Sequence, residues 1–133
     1  MMKLNWKYTK TKHLVLPITI NKKKLLFILD TGAGSTVLNL SVAEKLGLEL
    51  KLERKRGGGV GSSSMKVYKI AMLSIQFKDA VIETSLAGAI DLSHVVAGLK
   101  RHGVAEIHGV LGNDILKTHS AIINYKKKEL ILY

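Results

Sequence analysis

The sequence contains no cysteine, which excludes a disulfide framework and any thiolate metal site and leaves packing and hydrogen bonds to hold the fold. Aromatic residues are scarce: one Trp and two Phe offer few platforms on which single-stranded bases could stack. Acidic residues are outnumbered, 10 against 21 basic ones, for a formal net charge of +11. Such an excess attracts nucleic acid, anionic lipid or acidic protein segments. The lysines, however, run together where turns are expected (residues 22–24 and 126–128), and arginine, the better bidentate reader of phosphate, is sparse. A solvated basic surface is the plainer account, and nucleic acid is not expected as the main partner. No stretch approaches the roughly 18 apolar residues of a membrane-spanning helix. The basic start also lacks the apolar run and small-residue cleavage site of a secretory signal, so a cytoplasmic address is the expectation.

What is present is the composition of a folded globular protein. Hydrophobic residues make up 47%, charged residues 23%, and mean hydropathy is +0.16 over 133 residues. That length suits one domain, residues 1–133 with a core from about 13 to 133, and therefore one site per chain. Apolar residues come in short runs bounded by Gly, Asn and Lys, and the single Pro hardly interrupts them, so the pattern is mostly β.

Residues 13–20 and 24–29 read as strands of a hairpin turning at 21–23, which delivers Asp30 at the end of a buried strand. Ser41 and Glu44 fit a capping box for a short helix that Gly47 would stop. Strands at 48–53 and 65–70 enclose the Gly- and Ser-rich stretch 56–64, a long hairpin with a flexible tip. Further strands follow at 71–76 and 80–86; residues 92–102 read as loop or weak helix, and 107–111 as a short buried strand. Asn113 can cap a brief helix through Lys117, and residues 120–124 with 129–133 close the chain as a hairpin. Neither an internal repeat nor a linker is visible.

The chemistry sits in Phe27-Ile28-Leu29-Asp30-Thr31-Gly32-Ala33-Gly34-Ser35. A carboxyl group leaving a hydrophobic strand is costly unless hydrogen bonds hold it. Thr31 supplies a hydroxyl, and Gly32 allows a backbone amide to come close because no side chain intervenes. Taken alone, Asp-Thr-Gly is equally an ordinary turn with an Asx-type bond. A second hydrophobic run ending in glycine, Val110-Leu111-Gly112, preceded by Gly109 and followed by Asn113-Asp114-Ile115-Leu116, lies about eighty residues on.

In their order and spacing, Asp-Thr-Gly-Ala at 30–33, the Gly-rich tip at 57–61 and Gly-Val-Leu-Gly-Asn-Asp-Ile-Leu at 109–116 resemble the retropepsin-like aspartic proteases, particularly their small bacterial members. The resemblance covers roughly residues 13–133. It implies a closed, mostly β pepsin/retropepsin-like barrel with one or two short helices and a flap hairpin, the Asp30 strand lying beside Val110-Leu111-Gly112. It makes Asp30 the catalytic aspartate, Thr31 the brace between the two active-site loops of a dimer, and Gly32 the amide that supports the carboxylate. Ala33, Gly58, Gly59, Val60, Gly61 and Leu111 are the residues expected to meet substrate.

The chain carries one such motif where two-lobed relatives carry two, so the resemblance implies a homodimer that brings two Asp30 residues together. One carboxyl of the pair would stay protonated, assisting the scissile carbonyl while the other activates water, without metal or organic cofactor. The substrate would be a peptide or unfolded protein segment lying extended in the cleft. In place of the Arg that follows the second glycine in viral members stands Asn113, so their dimer-locking ion pair is not expected. The closing hairpin also looks more like a lobe of a two-lobed pepsin than a viral tail.

Two other classes compete: a protease-like module that captures peptide without cutting it, and a basic nucleic-acid binder. His94, His102 and His108 with Asp91 and Glu106 do not have a metal-site spacing and read as surface or loop residues. The tip at 57–62 lacks the Gly-Lys-Ser/Thr ending and following helix of a phosphate loop. Ser62, Ser63 and Ser64 have no nearby base.

Overall fold

The structure, a computed structural model, describes residues 1–53, 66–78 and 80–133. The described residues form thirteen strands and three helices. In the first half these are β1 (Met2–Asn5), β2 (Lys7–Tyr8), β3 (Leu14–Ile20), β4 (Lys23–Leu29), β5 (Val37–Asn39), α1 (Leu40–Lys45) and β6 (Leu50–Leu52). Then come β7 (Tyr68–Ile70), β8 (Leu73–Phe77), β9 (Ala80–Thr84), β10 (Gly88–Ile90), α2 (Ser93–Arg101), β11 (Gly109–Leu111), α3 (Asn113–Thr118), β12 (Ile122–Asn124) and β13 (Glu129–Leu132).

Ten strands make one curled sheet, a half-barrel in the order β6-β7-β10-β5-β11-β4-β3-β8-β9, with β2 added to β3. A second sheet runs β1-β13-β12. Only two pairings in the large sheet are parallel, β4 with β11 and β5 with β10. The β3–β4 hairpin turns through Asn21 and Lys22, both at positive φ (49° and 66°), the backbone a two-residue hairpin favours because it matches the strand twist. Strand β8 alternates, with Leu73, Ile75 and Phe77 buried and Ser74 and Gln76 exposed, as a sheet with one wet face requires.

Strand β4 is different. Phe27 and Leu29 enter the main core with Leu38, Ile70, Ile75 and Leu111. Ile28, on the opposite face, enters a smaller cluster with Val15, Leu92, Val96, Val104 and Ile107. Burial on both faces explains why this strand reads as a continuous apolar run, and it makes β4 the rigid member on which Asp30 is mounted.

Several sequence expectations are corrected. α1 begins two residues earlier than a Ser41 cap would place it, with Asn39 at the N-cap and no side-chain cap bond. Asn39 Oδ1 instead accepts the amide of Leu92 and ties β5 to the entry of α2 (3.0 Å). Residues 93–101 are a full helix, so the described residues hold three helices rather than one or two. Its apolar side, Leu92, Val96 and Leu99, closes over the Ile28 cluster, and that burial outweighs the poor propensity of Gly98. Asn113 is the first residue of α3, not its cap, which is Gly112. Residues before 13 also belong to the packed structure: β1 pairs with β13, and Trp6, 1% exposed, donates its indole N–H to the Glu129 carbonyl (3.0 Å).

Candidate active site

The parallel register aligns Phe27 with Gly109, Ile28 with Val110 and Leu29 with Leu111. β11 is three residues long and is held on its other side by β5, Val110 opposite Val37. No side chain fits at Gly109, where a Cβ would lie 2.6 Å from the Phe27 ring and from the Val37 carbonyl oxygen. Glycine thus lets three backbones converge at the base of the site.

Above this base the chain leaves β4 and turns. The Asp30 amide donates to the Leu111 carbonyl (3.0 Å), continuing the β4–β11 ladder one residue beyond the strand. The Gly32 amide donates to Asp30 Oδ1 (2.8 Å), and the Ala33 amide donates to the Asp30 carbonyl (3.2 Å). The loop therefore holds the carboxyl group of Asp30 at a fixed position while leaving it exposed, together with Thr31 and Gly32. Asn113 closes the arrangement: its side-chain Nδ2 donates to the Thr31 carbonyl (2.7 Å) and its backbone amide to the Ala33 carbonyl (2.8 Å). The residue standing where viral relatives have Arg thus contributes neutral bonds within its own chain. Gly112 must pass close to the loop, since a Cβ there would lie 2.7 Å from the Ser35 carbonyl group and 2.9 Å from the Ala33 carbonyl oxygen.

A network that sequence reasoning did not find lies beneath the loop. Thr36, wholly buried, donates its hydroxyl to Asp114 Oδ1 (2.7 Å) and accepts the Gly112 amide (3.1 Å). The same Asp114 oxygen accepts the amides of Thr36 and Ile115 (both 2.9 Å). The Thr36 carbonyl accepts the Gly88 amide (2.9 Å), so this one residue joins the Asp30 loop, β10 and the start of α3. The signal is faint, a Thr following Gly-Ser and an Asp following Gly-Asn, 78 residues apart.

Of the residues expected to meet substrate, Ala33 is half-buried beside Asp30, with both its backbone groups engaged as above. Leu111 is corrected: its side chain is wholly buried in the main core, so what it gives the site is its carbonyl, which fixes Asp30. Gly58, Gly59, Val60 and Gly61 lie outside the described residues. The strands on either side of them, β6 and β7, are paired antiparallel, Leu50 opposite Ile70 and Leu52 opposite Tyr68. Next to the loop, a cleft of about 350 Å³ is lined by Ser35, Val37, Tyr68, Leu86, Ala87 and Ile90 among others.

Among the described residues no group of three His, Asp or Glu side chains is placed to hold a metal. His108, read from sequence as a surface or loop residue, is partly buried and accepts the Leu26 amide at Nδ1 (2.9 Å), bracing the start of β11 against β4. Glu106 beside it is held below the ordinary glutamate range by the Lys100 ammonium, which hydrogen-bonds it at 3.1 Å. Asp91 is likewise lowered by hydrogen bonds from Ser93, whose amide lies 2.9 Å away.

An Asp-Thr-Gly loop seated on paired parallel strands, and locked by a hydrophobic-hydrophobic-glycine strand opposite, is the framework of the pepsin-type carboxyl proteases. Residues 16–115, well over half of the chain, match the family model described as aspartyl protease, and the chain belongs to that family. No curated protein matches it in sequence. Among solved structures it resembles the retroviral protease-like domain of Ddi1 from Leishmania major, at 23% identity over 90% of this chain and 87% of that one, with a TM-score of 0.64. It resembles a retropepsin-like aspartic protease from Rickettsia conorii at 20% identity, over 98% of this chain and 88% of that one, with a TM-score of 0.62. It also resembles the EIAV protease complexed with the inhibitor HBY-793, at 23% identity over 89% and 98%, with a TM-score of 0.60. At these identities the likeness establishes the fold.

Proposed function

We propose that the protein is an aspartic endopeptidase, active as a homodimer in which two Asp30 side chains form the catalytic pair. The observation that carries this reading is the Asp30 loop itself. Its carboxyl group is fixed by the Gly32 amide, mounted on a doubly buried strand and left open on the outer side. A lone exposed Asp has no second carboxyl with which to divide the roles of acid and base, and each chain supplies one such motif. A twofold partner completes the pair.

With two carboxyls at one site, a single proton is held between them. The ionised member takes a proton from a water that attacks the scissile carbonyl. The protonated member donates to the carbonyl oxygen as charge develops there, and the proton then passes to the leaving amine. The neighbouring cleft, lined by Val37, Ala87 and Ile90 together with Ser35, Glu53 and Lys69, would take one side chain of an extended peptide. A closed barrel, and a flap over the cleft that the Gly-rich sequence of residues 58–61 predicts, belong to the same reading.

The test is cleavage of an unfolded protein mixture from acid to neutral pH, at several enzyme concentrations, by the native chain and by Asp30→Asn. Asn keeps an acceptor for the Gly32 amide, so the fold should survive while cleavage disappears. Activity should rise more steeply than linearly where monomer predominates. No cleavage at any pH by a demonstrated dimer would overturn the proposal and favour a peptide-capturing module.

A further inference from the structure

Every one of the 10 acidic residues lies at or after Asp30; residues 1–29 hold seven lysines and no acid. The fold gathers part of this charge. The Trp6 amide donates to the Lys128 carbonyl (3.0 Å), which clamps the N-terminal segment against the turn between β12 and β13. That turn is Tyr125-Lys126-Lys127-Lys128, and all four residues are exposed. Buried Trp6 supports two aromatic neighbours edge-on, Tyr8 at 5.0 Å and Tyr125 at 5.4 Å between ring centroids. Both remain open to solvent, 47% and 61% exposed, and Lys128 Nζ sits 5.4 Å from the Tyr8 ring centroid. None of these lysines pairs with a described acidic side chain; the described ion pairs all involve Glu106.

We propose that this knob of two tyrosines and three lysines docks the protein on anionic lipid bilayers. Lysines near such a surface each add attraction, and tyrosine, apolar in body and polar at the tip, suits the headgroup level. A bound nucleic-acid strand or acidic peptide calls for a groove that tracks it. The knob is a hairpin turn whose four residues, Tyr125 to Lys128, all stand exposed. Arginine, the better phosphate fork, is absent from it. A flat, diffuse negative surface fits these features better than a threaded ligand. The proposal is independent of whether Asp30 cleaves peptides.

The experiment is co-sedimentation of the full chain with vesicles of phosphatidylcholine and phosphatidylserine in equal parts, against phosphatidylcholine alone, with a single-stranded oligonucleotide and a polyglutamate peptide as competing probes. Binding should require phosphatidylserine. The triple change Lys126→Gln, Lys127→Gln, Lys128→Gln should weaken it on the order of a hundredfold, from about fivefold per lysine. Tyr125→Ala should reduce the binding that persists in high salt, and circular dichroism should show both variants folded. Three results would each overturn the proposal: no sedimentation with the mixed vesicles, undiminished binding by the folded triple variant, or tighter binding to the oligonucleotide or polyglutamate than to the vesicles.

Discussion

Thr36→Val tests the buried network directly, because it exchanges a hydroxyl for a methyl of nearly the same shape at a position with no solvent exposure. Two bonds disappear: the 2.7 Å donation to Asp114 Oδ1 and the 3.1 Å acceptance from the Gly112 amide. The first is worth about 0.5–3 kcal/mol, depending on the charge of its acceptor, and stranding a buried amide costs about 1–3 kcal/mol. A total loss of about 1.5–6 kcal/mol follows, a large fraction of the roughly 5–15 kcal/mol by which a domain is stable. Thr36→Ser is the control: it keeps both bonds and removes one methyl, for about 1 kcal/mol. Urea denaturation of the two variants gives the comparison. Peptide cleavage gives a second readout, because Gly112 and Asn113 fix Ala33 and Thr31, so Val should also lower turnover in the fraction that remains folded. If Val proves no more damaging than Ser, the hydroxyl is not holding the loop and the reasoning fails.

Two further outcomes are expected. Trp6→Ala should cost about 3–5 kcal/mol, as for other fully buried aromatics. In the native chain the emission of this single tryptophan should change together with far-ultraviolet circular dichroism on unfolding; an earlier fluorescence transition would show that the N-terminal segment opens by itself. Glu106→Gln should cost at most about 1 kcal/mol near neutrality, since its pair with Lys100 is more than half exposed on both sides. The folded-state lowering of Glu106 means the pair stabilises at pH values above the ordinary glutamate value of 4.5, and that contribution is lost as pH falls through the folded value. Melting curves from pH 7 downward should therefore converge for the two proteins, and a gap that widens in acid would contradict this.

The sequence makes the Asp30 arm of the site readable because local rules govern it. A doubly buried strand shows as a continuous apolar run, a positive-φ turn shows as Asn-Lys, and the partner strand ends in the glycine that close approach demands. Its pairing beside Val110-Leu111-Gly112 was legible only through the resemblance to related proteins. What stayed hidden depends on partners far away in the chain. Ser41 and Glu44 obey the capping-box rule, yet the helix starts at Leu40 because Asn39 is drawn across to Leu92. Asn113 looks like a cap and acts as a strut to Thr31. α2 carries a mid-helix glycine, and only its seat over Ile28 makes the helix worth forming. Leu111 looks like a wall of the cleft, but the register turns its side chain inward and leaves only its carbonyl for Asp30.

The pairing of Met2 with Leu132 has a consequence for how the protein is made. During synthesis β1 is made long before its partner β13, so Trp6 stays uncovered until residues 129–132 have left the ribosome. Contacts so distant in sequence also make folding slow once they become possible. Through that interval its apolar surface is open to other chains, and a chain that stops shortly before residue 129 cannot cover its own tryptophan with β13.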